Sequence, residues 1–301
     1  MVLAYSCVVW LQAGILAKGW WVQLLLFGLS CYLMVELNNS NVLLRVRSRM
    51  IAATFIVLST MLVTFFGQWK GGVCALSFIA ALNVFFRSYQ DREAVGHTYF
   101  AFCLIALASM FLVHMLLLVP ILWLLMHTHL QSFSWSAWRA SLLGLLTPYW
   151  LVVPWFVWQH DIGTFTRHFV PLAQIIATPV ASQLDVMQMA NVAFIVVLLL
   201  VSAIHFWTNR MDDKIRIRML YGFLIVMSFF CIALVALLPQ HYDPLLRILV
   251  VCASPVIAHF LTVSSSRFTN ILFLVVVALC VVLTVINLYG PPTHITVWNY
   301  L

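Results

Sequence analysis

The sequence is dominated by successive apolar runs, each close to the length of a membrane-spanning helix. A helix that crosses the hydrocarbon core of a bilayer needs about 20 apolar residues. Only 8% of the residues are charged and 64% are hydrophobic, too little charge to cover a water-exposed surface. The sequence therefore predicts an all-α integral membrane protein with about 11 transmembrane helices. The predicted runs are 3–17, 20–37, 51–67, 72–87, 97–112, 113–127, 140–158, 188–207, 218–238, 246–263 and 269–289.

The connections between these runs are short, so the chain predicts a single polytopic membrane domain over residues 1–301. The runs lack the alternating pattern of a membrane β-barrel, and helices satisfy their backbone hydrogen bonds internally in lipid. The N-terminus begins directly in apolar sequence and has no basic segment before it. This favours a retained first span over a cleaved signal peptide.

Residues 97–127 could form one long helix or a hairpin of two short helices. With a single helix, Arg139, Arg216 and Arg267 would face outward, against the preference of Lys and Arg for cytoplasmic loops. We therefore predict a short hairpin at 97–127 with His114 near its tip. The predicted topology has a cytoplasmic N-terminus and a periplasmic C-terminus.

The longest connection, 159–187, is predicted to be a periplasmic interfacial loop. Pro171 and Pro179 interrupt its helical pattern, so we expect a broken amphipathic segment lying at the membrane surface. The apolar positions of this pattern are Phe165, Phe169, Leu172 and Ile176.

One group of polar residues follows the second and fourth runs, at the predicted cytoplasmic side. Arginine offers a planar fork that suits phosphate, so this group could form a lipid-phosphate or nucleotide-sugar site. The alternative, which we favour, is an interfacial salt-bridge network that binds anionic lipid without specificity. The candidate lipid- or phosphate-binding residues are Glu36, Asn39, Arg45, Arg49, Arg87 and Arg92.

A second polar group lies between the ninth and tenth runs, at the predicted periplasmic side. In a catalytic interpretation, His241 or Asp243 is a general base and Arg247 holds a phosphate. In a structural interpretation, Asp243 caps a helix that starts at Pro244. Residues of the long loop could complete such a site, namely His160, Asp161, Arg167 and His168.

The remaining intramembrane histidines, His114, His205 and His259, are each expected to make one interhelical hydrogen bond. His127 and His129 have no neighbouring Cys, Asp or Glu, so no metal site is predicted. Nucleotide-binding and hydrolase motifs are absent from the sequence, and no cofactor is expected. The net charge of +7 is explained by membrane topology, and nucleic acid is not an expected partner.

Several motifs resemble an uncharacterised family of polytopic inner-membrane proteins from Bacteroidota. They include Glu36-Leu37-Asn38-Asn39-Ser40-Asn41, Phe86-Arg87-Ser88-Tyr89-Gln90-Asp91-Arg92, Gly144-Leu145-Leu146-Thr147-Pro148-Tyr149-Trp150 and Pro239-Gln240-His241-Tyr242-Asp243. The resemblance implies a bacterial inner membrane and no particular activity. The segment 108–114 is also similar to glycosyltransferase-C and lipid-linked glycan polymerase enzymes. Those enzymes carry an acidic residue in their first outer loop, where this chain has only Lys18.

Three functional hypotheses follow. The first is a non-enzymatic membrane subunit of an envelope biogenesis or secretion system, in contact with membrane lipids and other envelope proteins. The second is a lipid-linked glycan transferase, polymerase or flippase. The third is a small-solute transporter, which should have a cavity at the membrane midplane and broken helices. Its expected break points are Pro120, Pro148, Pro154 and Pro255.

Overall fold

The computed structural model of the protein describes residues 1–45, 48–160, 162–173, 184–209, 213–263 and 267–290. Helices account for 85% of these residues and none of them forms a strand, which confirms the prediction of an all-α chain. The α-helices are α1 (Val2–Gln12), α2 (Ile15–Lys18), α3 (Trp21–Asn41), α4 (Met50–Met61), α5 (Trp69–Phe85), α6 (Val95–Ser109), α7 (Leu118–Thr128), α8 (Trp135–Trp158), α9 (Ile162–Arg167), α10 (Val170–Ala173), α11 (Val186–Asn209), α12 (Ile215–Leu237), α13 (Tyr242–Val263) and α14 (Arg267–Tyr289). Short 3₁₀ turns cover Val63–Phe65, Phe86–Ser88, Val113–Leu117 and Pro239–His241.

Seven helical stretches in the described part of the chain are long and apolar enough to cross a membrane. They are Trp21–Asn41, Trp69–Ser88, Trp135–Trp158, Val186–Asn209, Ile215–Leu237, Pro239–Val263 and Asn270–Tyr289. Four shorter apolar helices are Val2–Gln12, Met50–Met61, Val95–Ser109 and Val113–Thr128. At 1.5 Å per residue the shorter helices reach roughly 15–25 Å, less than the ~30 Å hydrocarbon core. This composition is that of a multi-pass membrane protein.

Two of the predicted apolar runs are not single helices. In the first, α1 ends at Gln12, and Gly14 adopts a left-handed conformation with φ of 87° before the short helix α2 begins. Glycine adopts this conformation without the steric cost that other residues incur. In the third run, α4 ends at Met61 and the chain continues as a 3₁₀ turn.

Helix α13 forms the centre of the bundle. It packs against α4, α5, α11 and α12, and its residues are buried almost without interruption from Leu245 to Phe260. Within an apolar 18-residue window of the candidate span Pro239–Val263, 78% of the residues are buried, compared with 17% in the corresponding windows of Trp21–Asn41 and Asn270–Tyr289. The latter two helices therefore lie at the periphery and leave large apolar faces exposed, as expected for surfaces that contact lipid.

The segments on either side of residues 110–112 form an antiparallel pair. The Gln90 backbone N–H donates to the Leu130 carbonyl over 2.8 Å, so the start and the end of this pair are adjacent. The chain therefore reverses direction after Ser109, and His114 lies directly beyond the turn.

Helices α6 and α8 pack closely because Gly144 leaves space for the backbone of the neighbouring helix. A Cβ atom at Gly144 would collide with the Tyr99 carbonyl oxygen. Small residues allow this close approach between membrane helices. One turn further along α8, the hydroxyls of Tyr99 and Thr147 lie 2.9 Å apart and form a hydrogen bond.

The helices continue through the four prolines at which the transporter hypothesis expects breaks. Pro148 and Pro154 lie inside α8, Pro255 lies inside α13, and Pro120 lies inside α7. A proline removes one backbone hydrogen bond, but packed neighbouring helices can tolerate this loss within a membrane helix.

The predicted interfacial loop contains the two short helices α9 and α10. The interruption falls at 168–169, so that Pro171 lies inside α10. Phe169 packs against Tyr149 of α8 with ring centroids 5.3 Å apart. Asp161, Ile176 and Pro179 lie outside the described residues.

Candidate functional site

Polar contacts between helices gather at the two ends of the bundle. We define the Arg247 end by residues 62–72, 109–114 and 238–247. We define the Asp213 end by residues 41–45, 86–92, 129–134 and 213–216, together with His259. The predicted periplasmic candidates lie at the Arg247 end, and the predicted cytoplasmic candidates follow helices that lead to the Asp213 end.

Asp243 and Arg247 form an ion pair in the first turns of α13. The Arg247 Nε atom donates to Asp243 Oδ1 over 2.6 Å. Arg247 Nη2 donates to the carbonyl oxygens of Phe65 and Gln68, the latter over 3.2 Å. The pair therefore joins the start of α13 to the connection between α4 and α5.

Asp243 does not cap the helix as the structural interpretation predicted. Helix α13 begins at Tyr242, one residue before Asp243. The side chain accepts a hydrogen bond from Arg247 because the i,i+4 spacing places the two groups on one face of the helix.

Gly71 of α5 allows the ion pair to approach the backbone of that helix. A Cβ atom at Gly71 would lie 2.5 Å from Asp243 Oδ2 and 3.0 Å from Arg247 Nε. The carboxylate therefore faces α5, with no room for even a methyl group between them.

A cavity with a volume of about 40 Å³ lies beside Arg247. It is bordered by α1, α3, α4, α5 and α13, and its polar lining includes Gln23, Ser59 and Arg247. A cavity needs roughly 10–15 Å³ of such volume per water molecule, so this one holds a few water-sized groups.

The histidines of the Arg247 end are packed against other parts of the chain. The rings of His114 and His241 lie 3.8 Å apart between centroids, and both residues are buried. His168 of the long loop lies with its Nε2 atom 2.9 Å from the Ser109 carbonyl and donates to it in the corresponding tautomer. The structure thus brings both His241 and His168 to the hairpin turn. Among the hydrogen bonds between described residues, Asp243 bonds to Arg247 and to neither of these histidines. His160 is exposed, and Arg167 is exposed at the end of α9.

At the opposite end, Asp213 connects its own segment to two others, those of Arg45 and His259. Its Oδ1 atom accepts from Arg45 Nε over 2.7 Å, and its Oδ2 atom lies 3.1 Å from His259 Nε2 of α13. The Asp213 side chain is 1% exposed, whereas the Arg45 side chain is 39% exposed. The buried carboxylate is thus stabilised by two donors, one of which reaches the surface.

A second contact at the Asp213 end centres on Arg216. Its Nη2 atom donates to Asn41 Oδ1 over 3.1 Å and lies 3.5 Å from the Phe86 carbonyl. The guanidinium also lies 5.8 Å from the centre of the Tyr89 ring.

His129, which follows α7, belongs to the same end of the bundle. Burial lowers the pKa of this imidazole, which favours its neutral form.

In the described part of the chain, the predicted phosphate-binding residues make no hydrogen bond or ion pair with one another. Arg45 pairs with Asp213, and Glu36 is half-buried. The other four are exposed, and none of them forms an ion pair with a described residue: Asn39, Arg49, Arg87 and Arg92.

The three isolated histidines make different kinds of contact. His259 bonds to Asp213, which precedes α12, and His114 packs on His241. His205 of α11 packs edge-on against Phe260 of α13, with ring centroids 4.9 Å apart. Among the described residues, no group of three His, Cys, Asp or Glu side chains could hold a metal ion.

Sequence reasoning missed the roles of Asp213, Gly71 and Trp10. The partners of Asp213, Arg45 and His259, are distant from it in sequence, so no local pattern marked this residue. Trp10 lines the cavity beside Arg247, and its buried indole N–H has no hydrogen-bond partner among the described residues. No local pattern marked either Gly71 or Trp10.

Comparison of the chain with known protein families, with curated proteins and with solved structures finds no match. The contacts described above are therefore the basis on which a function can be assigned.

Proposed function

We propose that this protein is a non-enzymatic membrane subunit of an envelope biogenesis or secretion system. In this proposal it is a multi-pass protein of a bacterial inner membrane, with eleven spans. The Asp213 end faces the cytoplasm, and the Arg247 end faces the periplasm. Its partners are membrane lipids and other envelope proteins.

One observation carries this proposal: the best candidate catalytic groups are part of the helix packing. A general base must come within hydrogen-bond reach of its substrate. The Asp243 carboxylate instead faces the backbone of α5 at Gly71 and accepts a hydrogen bond from Arg247. Two further Arg247 contacts go to backbone carbonyls. These groups take part in the helix packing, and the Asp243 carboxylate, whose side chain is 16% exposed, is already bound by the guanidinium.

The two alternative functions receive less support. A cavity of about 40 Å³ beside Arg247 holds only a few water-sized groups and not a sugar ring. The helices also continue through the four prolines at which a transporter was expected to have broken helices.

The proposed sidedness is supported by the distribution of exposed basic residues. Arg49, Arg87, Arg92 and Arg139 are exposed and follow helices that lead to the Asp213 end. Lys and Arg are enriched in cytoplasmic loops of membrane proteins. The motifs that resemble a Bacteroidota inner-membrane family support the same location.

The sidedness can be tested by labelling spheroplasts with a membrane-impermeant thiol reagent. The background variant is Cys7→Ala, because Cys7 is an exposed cysteine. We expect a cysteine replacing Lys70, which is exposed near the Arg247 end, to be labelled. A cysteine replacing Arg92 should be labelled only after lysis. Labelling of the Arg92 position in intact spheroplasts would contradict the topology.

The function can be tested with Asp243→Asn, which keeps the shape of the side chain but removes the base. Surface glycans and lipid-linked intermediates should stay unchanged in cells that produce this variant at normal abundance, as they should with the exposed control Asp91→Asn. The wild-type chain, extracted in mild detergent, should purify in a complex with defined stoichiometry. A glycan defect specific to Asp243→Asn would favour an enzyme, and a purely monomeric chain would contradict the subunit proposal.

A further inference from the structure

The cavity beside Arg247 combines an apolar wall with hydrogen-bond donors. Phe27, Phe55 and Phe66 contribute aromatic rings to its lining, while Ser59 and Arg247 contribute polar groups. An apolar pocket with a few placed polar groups is the usual form of a small-ligand site.

Two of the donors are not used by the described part of the chain. The Trp10 indole stacks on Phe66 with ring centroids 3.9 Å apart, and its buried Nε1–H has no hydrogen-bond partner among the described residues. Arg247 uses Nε and Nη2 in the contacts described above, but Nη1 makes no hydrogen bond to a described residue. This Nη1 atom lies near Gly72, which also lines the cavity. A buried donor without a partner is unfavourable, so a ligand that accepts from the Trp10 indole would be stabilised.

The charge around the cavity favours an anion. The Arg247 end carries Lys70 and Arg247 against the single carboxylate of Asp243. Lys18 of α2 adds a positive charge beside this end, because it lies over the Trp20 ring, which borders Gly67. Guanidinium N–H groups form strong charge-assisted hydrogen bonds with phosphate oxygens. The cavity volume of about 40 Å³ holds a few water-sized groups, which suits phosphate oxygens, and the aromatic wall suits the apolar part of a lipid.

We propose that this cavity binds the phosphate group of an anionic phospholipid from the membrane leaflet at the Arg247 end. Arg247 Nη1 and Trp10 Nε1 donate to phosphate oxygens, and the aromatic wall contacts the adjoining glycerol and acyl chain. This assignment is independent of the proposed subunit function, because it concerns a bound lipid and not a protein partner.

Native mass spectrometry of the full-length protein can measure the binding of phosphatidylglycerol, phosphatidylcholine and inorganic phosphate. Trp10→Phe keeps an aromatic ring against Phe66, removes the indole donor and shortens the buried ring system. We expect it to weaken the tightest phosphatidylglycerol binding about tenfold, the effect of losing one hydrogen bond to a charged group. Ser59→Leu fills part of the cavity and should abolish that binding. The exposed control Trp155→Phe should bind as the wild type does.

The thermal stability of lipid-free protein separates this role from a structural one. Without lipid, two effects of Trp10→Phe oppose each other, because it removes a buried donor that lacks a partner but also part of a buried ring. The stability of this variant should therefore stay close to that of the wild type. The proposal is overturned if Trp10→Phe and Ser59→Leu bind phosphatidylglycerol normally. It is also overturned if phosphatidylcholine binds equally well, or if inorganic phosphate alone occupies the site with the same dependence on Trp10.

Discussion

Replacing Gly71 with alanine tests whether the Asp243–Arg247 pair depends on close contact with α5. The added methyl group would lie 2.5 Å from Asp243 Oδ2, 3.2 Å from Asp243 Cγ and 3.0 Å from Arg247 Nε. The first distance is far below van der Waals contact. The carboxylate must therefore rotate away from Arg247, or α5 and α13 must move apart.

The expected loss of stability follows from two opposing effects. Overpacking a close contact costs about 1–3 kcal/mol. Alanine favours a helix over glycine by up to about 1 kcal/mol, and less in the first turn, where Gly71 lies. We expect Gly71→Ala to lower the free energy of unfolding by about 1–2 kcal/mol.

Unfolding of the purified protein by sodium dodecyl sulfate, followed by circular dichroism, measures this difference. Gly28→Ala is the matched control, because Gly28 lies inside α3 and its added methyl group would meet no atom within 4 Å. The control should be as stable as the wild type or more stable, since it gains helix propensity without a collision.

A double-mutant cycle with Asp243→Ala identifies the cause of the loss. Without the carboxylate, the methyl group at position 71 meets fewer atoms, so most of the cost of Gly71→Ala should disappear. Contacting residues usually couple by 0.5–3 kcal/mol. Full stability of Gly71→Ala, or the same cost with and without the Asp243 carboxylate, would refute the reasoning.

Two further substitutions test the packing at other points. Gly144→Leu should prevent α6 and α8 from approaching and should reduce the monodisperse fraction in size-exclusion chromatography, whereas Gly96→Leu, whose Cβ would meet no atom within 4 Å, should not. Asp213→Asn should lower the free energy of unfolding by about 1–3 kcal/mol, less than for a fully buried pair because Arg45 is partly exposed. The exposed control Asp91→Asn should change it by less than about 0.5 kcal/mol in the same detergent titration.

The helices could be predicted from the sequence because lipid leaves the backbone few alternatives. Each apolar run had to satisfy its own hydrogen bonds, so its length and position followed from composition. The interruption at Gly14 was not predictable, because the surrounding residues are apolar on both sides. A glycine within such a run is compatible with a helix as well as with a turn.

The candidate site was predictable only where its partners lie close together in sequence. Asp243 and Arg247 are four residues apart, a spacing that pairs side chains on one helix face. Arg45 and Asp213 are separated by 168 residues, so their contact depends on how distant helices pack. The same limit applies to the carbonyls of Phe65 and Gln68, which accept hydrogen bonds from Arg247 although they are 182 and 179 residues away in sequence.

The position of α13 in the centre of the bundle has a consequence for biosynthesis. A ribosome makes the chain from its N-terminus, and earlier segments can assemble while later ones are still being made. Phe65 and Gln68, which bind Arg247, and Asp213, which binds His259, all precede α13 in the chain. When this helix leaves the ribosome, its binding groove can already exist, and its own Asp243–Arg247 pair can form within a single turn. Helix α13 can therefore insert into a groove formed by helices made before it, and α14 then packs at the periphery of the bundle.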